Sequence, residues 1–418
     1  MSDRLSSGAD PRRDRTLLQA AGALRAVGTS LVGVLLGLYL AELGQDATAI
    51  GLVSSAGLAG AAVAAVLVAR RGDLWGRRRT LLAVATAAAV ACAAFLATSS
   101  LAALALLAFV GMLNAMGRDR GAAATLEQAA LPSTVAPERR TFAFAGYTAL
   151  QDAGHALGSL AAGLAGALAS LAGLSTLAAM RATMALHPAL LIATLPLYLR
   201  LSPAIEPAAR AAPVRLSAAS RRIVLRICAL FAVDGLGGGF LVGSLISYFF
   251  FERFGASAST VAVLFFAARL ANLVSHFAAA WLATRIGLVN TMVFTHLPSS
   301  LLLVAVAFAD DFATAAALFL LREALVEMDV PTRQSYVVAI VAPEERTAAA
   351  GAANVVRLAS WAVAPLIAGL AMARYSLAAP LVIGAAIKVV YDILLYFAFR
   401  RVRPPEERGR AGGRGGLE

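Results

Sequence analysis

The chain has almost no lysine. Lys388 is its single one, so its basic character is carried by arginine. Charge of either sign is scarce, at 14% of residues against about 25% in soluble proteins. Cysteine is scarce too. Cys92 and Cys228 both lie inside apolar runs, which argues against a disulfide framework. The polar N-terminus is not followed by a short apolar core with a small-residue cleavage site, the pattern of a secretory signal. No phosphate loop precedes the lone lysine, and HExxH, GxSxG and a Cys/His cluster are all missing. These gaps argue against ATP-driven pumping and against protease, serine-hydrolase or zinc-enzyme chemistry. No metal or cofactor is expected.

What the chain has in abundance is apolar surface. Of 418 residues 60% are hydrophobic, and the mean hydropathy is +0.77. A chain this apolar has no way to cover itself in water, whereas lipid solvates it. At about 20 residues per crossing, the apolar runs supply twelve helices: 17–41, 47–69, 80–98, 101–131, 141–168, 174–200, 222–251, 258–283, 288–308, 312–336, 347–372 and 376–400. The expected fold is all-α and membrane-integral, with twelve transmembrane helices in two six-helix bundles. The bundles are expected over 16–200 and 222–401, joined by a cytosolic linker, 201–221, rich in Pro, Ala and Arg. Residues 1–15 and 402–418 read as disordered cytosolic ends.

The net charge of +12 raises the question of nucleic acid. The arginines instead sit in alternate loops, including Arg12, Arg13, Arg70, Arg71, Arg139, Arg140, Arg221 and Arg222. That is the excess expected on the cytosolic side of a membrane protein. Both termini then face the cytosol, which requires an even number of crossings. A multi-pass protein of the cytoplasmic membrane is expected, with the lipid bilayer as its partner, no nucleic acid, and a monomeric state.

The two halves repeat. Val135-Ala-Pro-Glu-Arg-Arg-Thr141 returns as Val341-Ala-Pro-Glu-Glu-Arg-Thr347, and at the same register Gln128 meets Gln334 and Gly163 meets Gly369. Parallel halves of this kind are one plan for transporters. The loop after the second span reads Ala69-Arg-Arg-Gly-Asp73-Leu-Trp-Gly76-Arg77-Arg78-Arg79. It resembles the signature loop of the major facilitator superfamily at Asp73, Gly76, Arg77 and Arg78. It departs at Ala69, where the family has glycine, and at Leu74, where it has a basic residue. The second copy, around Arg285 and Gly287, keeps little of it. Two segments, Leu230–Phe240 and Met328–Tyr336, look like an uncharacterised bacterial group of that family.

The resemblance implies a secondary transporter that alternates access to one central site, with no enzymatic activity. It implies that Asp73, Gly76, Arg77 and Arg78 form a gating loop whose partner is the start of the eleventh helix near Thr347. It also places helices one, four, seven and ten around the central cavity. Ionisable side chains at membrane depth are costly and mark functional paths. Arg25, Arg120, Asp234, Arg322 and Glu323 lie on those four helices. Asp152, His155 and Arg357 lie on the fifth and eleventh. These eight are the candidate substrate or proton path. Asp152 and His155 are i, i+3 neighbours on the fifth helix, and Arg120 and Glu127 share one face of the fourth, two turns apart. Glu127 occupies the position that Arg333 takes in the second half, so the two are a candidate inter-half pair. His155, His276 and His296 rank lower as proton carriers, since a lone histidine on an apolar helix more often packs.

A carboxylate that exchanges an arginine partner takes up and releases a proton. Such an exchange would couple transport to a proton gradient, and the signature loop is prominent in exporters of the resembled family, so proton-coupled efflux of a small polar, charged or amphipathic solute is the leading expectation. Proton-coupled uptake of a small organic anion is the alternative. A membrane sensor or scaffold that keeps the fold without transporting is the alternative of another class. The GxxxG spacings Gly154/Gly158 and Gly239/Gly243 fit packing within the chain.

Overall fold

A computed structural model describes residues 10–206, 217–328 and 345–399. It is helical, with no strand among the described residues. Sixteen α-helices are named here in chain order. The first nine are α1 Pro11–Glu42, α2 Ala47–Trp75, α3 Arg77–Phe95, α4 Leu101–Gly111, α5 Ala122–Ala130, α6 Arg140–Ala161, α7 Leu164–Leu171, α8 Thr176–Met184 and α9 Leu186–Leu199. The remainder are α10 Ala218–Gly239, α11 Gly243–Phe254, α12 Ala258–Ile286, α13 Leu288–Ala307, α14 Phe312–Val326, α15 Arg346–Arg374 and α16 Ala379–Phe399.

Ten helical stretches among the described residues are long and apolar enough to cross a bilayer, with α6–α7, α8–α9 and α10–α11 each counting as one. Their outer faces remain apolar: Val90, Leu106, Leu157, Val274, Leu301 and Phe397 are each more than half exposed. Such surface is stable in lipid, where no water must be ordered around it. The tenth expected span is described only through α14; Asp329 and Arg333 lie outside the described residues.

The fourth expected span is corrected. It is not one helix over 101–131. α4 ends at Gly111, Met112 turns left-handed at φ 52°, and the chain is non-helical until α5 begins at Ala122. Broken backbone at membrane depth is tolerated only where protein satisfies its polar groups. Here Asn114 does so. Its amide donates to the Arg118 carbonyl at 2.6 Å, and its carbonyl accepts from the Met116 N–H at 2.9 Å. The Ser244 N–H donates to the Ala115 carbonyl at 3.1 Å.

The residues group into two compact units. The first holds 1–211 with 242–266 and 365–377. In it α1 packs along α6, α9 and α11, and α2 along α4 and α5. Gly154 and Gly158 of α6 let α1 approach closely. A side chain at Gly158 would overlap the Val27 carbonyl of α1, and one at Gly154 would press on the Ala23 carbonyl at 2.7 Å. That pair packs within the chain, as the spacing predicts. The second unit holds 212–241, 267–364 and 378–418. In it α13 packs on α14 and α16, and α10 packs on α16.

The repeat has a structural counterpart. α6 begins at Arg140 and α15 at Arg346, the same place in the two copies of the repeated heptapeptide. The signature turn also returns. Gly76 between α2 and α3 has φ 87°, and Gly287 between α12 and α13 has φ 86°. Each is followed four residues on by a threonine, Thr80 or Thr291, whose hydroxyl donates to the glycine carbonyl at 2.8 Å. The second copy therefore keeps the turn after losing its charges.

Candidate functional site

In the first unit α1 carries Arg25 into the middle of the bundle. Its side chain is buried, and it gathers three other elements. Nη1 and Nη2 donate to Glu127 Oε1 and Oε2 at 2.5 and 2.7 Å, the fork geometry that arginine offers a carboxylate. Nε donates to Asp119 Oδ2 at 3.1 Å, and Nη1 also reaches the Tyr198 hydroxyl of α9. Glu127 is fully buried on α5. It accepts further from Tyr147 on α6 at 2.6 Å and from Tyr198 at 2.7 Å. Gln151 lies beside both, 3.4 Å from Asp119 and 3.3 Å from the Tyr147 hydroxyl.

The break in the fourth span decides this geometry. The shared face expected for Arg120 and Glu127 does not form, because α5 starts only at Ala122. The unwound chain instead turns Asp119 toward Arg25, and Arg120 is left half-buried at the break. His155 joins from α6. Its Nε2 accepts the Asp119 N–H at 2.9 Å, and its Nδ1 lies 3.9 Å from Asp152. Four of the expected path residues, Arg25, Arg120, Asp152 and His155, thus lie at or next to one cluster. Glu127 uses both oxygens on Arg25 and the two tyrosines; its expected partner Arg333 lies outside the described residues.

The second unit holds the other four expected residues. Arg322 pairs with its neighbour Glu323 on α14, and Glu323 accepts from Asn272 of α12 at 2.8 Å. Arg357 lies 4.7 Å above the Trp361 ring on α15. Asp234 on α10 accepts from Lys388 on α16 at 3.1 Å. Lys388 is also 3.5 Å from His296 Nε2 on α13, and His296 Nδ1 is 3.0 Å from Asp392.

Around the signature loop, Asp73 accepts from Arg77 Nε at 2.8 Å, as the spacing suggests. The Arg77 guanidinium also donates to the Ile205 carbonyl at 2.9 Å. The start of α3 is held by Glu206, whose carboxylate accepts the Arg77 and Arg78 N–H groups at 2.7 and 3.1 Å. An anion at a helix N-terminus offsets its dipole.

Sequence reasoning passed over Tyr147, Tyr198, Glu206, Lys388 and Asp392. A signal existed for most of them. A tyrosine within an aliphatic span needs a partner for its hydroxyl. The lone lysine lies inside an apolar run, four residues before Asp392. Glu206 gave no such signal, because a linker carboxylate finds its helix only in three dimensions.

The chain matches the family model described as Major Facilitator Superfamily over residues 20–322 and 227–417. It is 23% identical over 421 residues to an uncharacterized membrane protein of Saccharomyces cerevisiae, covering 93% of this chain and 94% of that one. Solved structures share the fold. The nucleoside transporter NupG aligns with a TM-score of 0.71 at 16% identity, over 93% of this chain and 98% of NupG. A D-xylose-proton symporter aligns with 0.69 at 12%, over 95% and 98%. The human organic anion transporter MFSD10 aligns with 0.59 at 17%, over 93% and 100%. The chain therefore belongs to the Major Facilitator Superfamily, as a multi-pass membrane transporter and not an enzyme.

Proposed function

We propose that the chain is a secondary active transporter of the cytoplasmic membrane that exports a small polar or charged solute in exchange for protons. Both termini face the cytosol in this reading. The bundles 16–200 and 222–401 alternate access to one site, and Asp73, Gly76, Arg77 and Arg78 gate it. The protein works as a monomer. The path is lined by Arg25, Arg120, Asp152, His155, Asp234, Arg322, Glu323 and Arg357.

The observation that carries proton coupling is the charge count at Arg25. One guanidinium holds two carboxylates, Asp119 and Glu127, with Glu127 fully buried. When one carboxylate is protonated, Arg25 is released to the other or to an anionic group of the solute.

The test uses purified protein in proteoliposomes under an imposed pH gradient. Nucleosides, pentoses and organic anions form the first panel, since the structural relatives named above carry such solutes in their names. Glu127→Gln should lower pH-driven flux by roughly tenfold while solute exchange without a gradient persists. Full pH-driven flux in that variant would remove Glu127 from the coupling. Accumulation inside right-side-out vesicles under inward proton flow would replace export by uptake. The uptake reading draws on the likeness to a proton symporter.

A further inference from the structure

The break in the fourth span has a second consequence, on the outer face of the first unit. α4 packs on both α2 and α3 as far as Gly111. The fit is close at Gly60, where an added side chain would overlap the Phe109 carbonyl. Past Met112 the unwound chain turns inward, and α5 carries Glu127 to full burial. α2 and α3 continue beyond that point to the turn at Gly76. Between them lies a groove of about 570 Å³.

The walls of this groove are apolar. Val63 and Leu67 line it from α2, each about half exposed. Ala83 and Ala87 line it from α3, and both are exposed. Phe109 and Val110 close the deep end. Ala64, Val68 and Val84 form a floor that is continuous with the core to which α5 contributes Ala122, Ala123 and Leu126. The other end differs. Trp75 and Arg79 stand there, beside the turn. The carboxylates of that turn are engaged elsewhere: Asp73 accepts from Arg77, and Glu206 accepts the Arg77 and Arg78 N–H groups. Arg79 is exposed and has no carboxylate partner among the described residues. Arg71 is exposed as well, four residues before Trp75 and on the same face of α2.

We propose that this groove seats one phospholipid with an anionic headgroup. An acyl chain lies between α2 and α3 with its tip toward Phe109 and Val110. The phosphate-bearing headgroup meets Arg79 and Arg71, since a guanidinium offers phosphate two parallel donors. Trp75 stands at the boundary of the two, where an indole suits both an apolar chain and a wet headgroup. The length fits. From Trp75 to Gly60 the groove runs about 22 Å along α2, and one leaflet of hydrocarbon is about 15 Å deep. The charge selects the occupant. A zwitterionic headgroup brings its own cation and gains less from Arg79. An apolar helix of a second copy would cover Arg79 without compensating it, which is costly. The site is independent of the solute transported and of the coupling ion.

The chain has three tryptophans, and the one in the groove serves as its reporter. Full-length protein carrying Trp281→Phe and Trp361→Phe keeps Trp75 as its sole indole. It is reconstituted in phosphatidylcholine vesicles, into which phosphatidylglycerol brominated on its acyl chains is titrated. A seated lipid quenches Trp75 at low mole fraction and saturates, whereas passing bulk lipid quenches in proportion to its mole fraction. The half-point for brominated phosphatidylglycerol should lie about fivefold below that for brominated phosphatidylcholine, the share of one arginine facing an anionic lipid. Arg79→Gln should close that gap. Ala83→Phe, which fills the groove from an exposed position, should abolish saturation by either lipid; Ala87→Phe is the second filler should the first not fold. Native mass spectrometry of the protein with all three tryptophans should show phosphatidylglycerol retained through detergent and lost in Arg79→Gln, a readout that does not need the tryptophan replacements. Proportional quenching by both lipids, or saturation that survives both fillers, would overturn the site. A gap that persists in Arg79→Gln would overturn the headgroup assignment. A dimer whose Trp75 is shielded from both lipids would give the face to a second copy and overturn the proposal.

Discussion

Removing the Arg25 side chain would leave two carboxylates, Asp119 and Glu127, without the cation that pairs with both. Its guanidinium is the counter-ion for two carboxylates, and Tyr147 and Tyr198 satisfy the remaining Glu127 lone pairs. Breaking a buried ion pair from one side costs about 3–5 kcal/mol. Arg25→Gln should therefore lower thermal stability strongly in detergent. Tyr147→Phe, which deletes the hydrogen bond donated to Glu127 and the longer one accepted from Gln151, should cost about 1–2 kcal/mol. Equal melting temperatures for Arg25→Gln and wild type would show that the cluster is not a stabilising unit. A second residue responds to pH. Glu345, at the start of α15, accepts from the Ser220 hydroxyl and the Ser217 N–H, which hold its carboxyl below the ordinary value. A depressed folded-state pKa gives stability that is present above the unfolded value of about 4.3 and lost as pH falls through the folded one. Glu345→Gln should thus melt below wild type at pH 7, and the two curves should converge in acid. A constant gap across that range would rule out this titration as the cause.

Two elements decide how the site is built. The first is the break between α4 and α5. In a continuous helix over 101–131 Asp119 would stand about 80° round the axis from Glu127, two turns away, whereas the unwound chain delivers both to Arg25. The apolar run gave no warning, because periodicity registers hydrophobic content and not local unwinding. Asn114 and Gly117, the latter at φ 69°, were the available cues. The second element is the turn at Gly76. Its φ of 87° lies in the region that side chains rarely adopt, so the family loop needs glycine there for a steric reason. Asp73 adds charge to that turn through Arg77, yet its side chain is 54% exposed, so it contributes little to stability. Asp73→Asn should insert and melt like wild type and still slow transport in proteoliposomes by about tenfold. Unaltered flux would remove the gating role.

At the scale of the whole molecule, the arginine distribution makes a topological prediction. Alkaline phosphatase fused after Asp311, in the exposed turn before α14, should be active, because that turn lies on the outer side in the proposed orientation. The same enzyme fused after Arg403 should be inactive. Activity of the C-terminal fusion would reverse the orientation or break the even count of crossings. The repeat bears on the same scale. The common starts of α6 and α15, and the twin turns at Gly76 and Gly287, show the two halves built on one backbone plan while their buried charges diverge.

The sequence by itself determined the solvent, the helical class and the family. Those follow from composition, from the length of apolar runs and from a local loop motif, none of which needs distant residues to meet. It also named most of the buried charges, because an ionisable residue in an apolar run is visible without a partner. Which charge meets which was decided only by tertiary structure. Arg25 and Glu127 are 102 residues apart, and His296 and Asp392 are 96 apart. Their pairing depends on helix rotation, on small residues that let helices approach, and on one unwound turn. These are properties of packing, and hydrophobic periodicity carries no record of them.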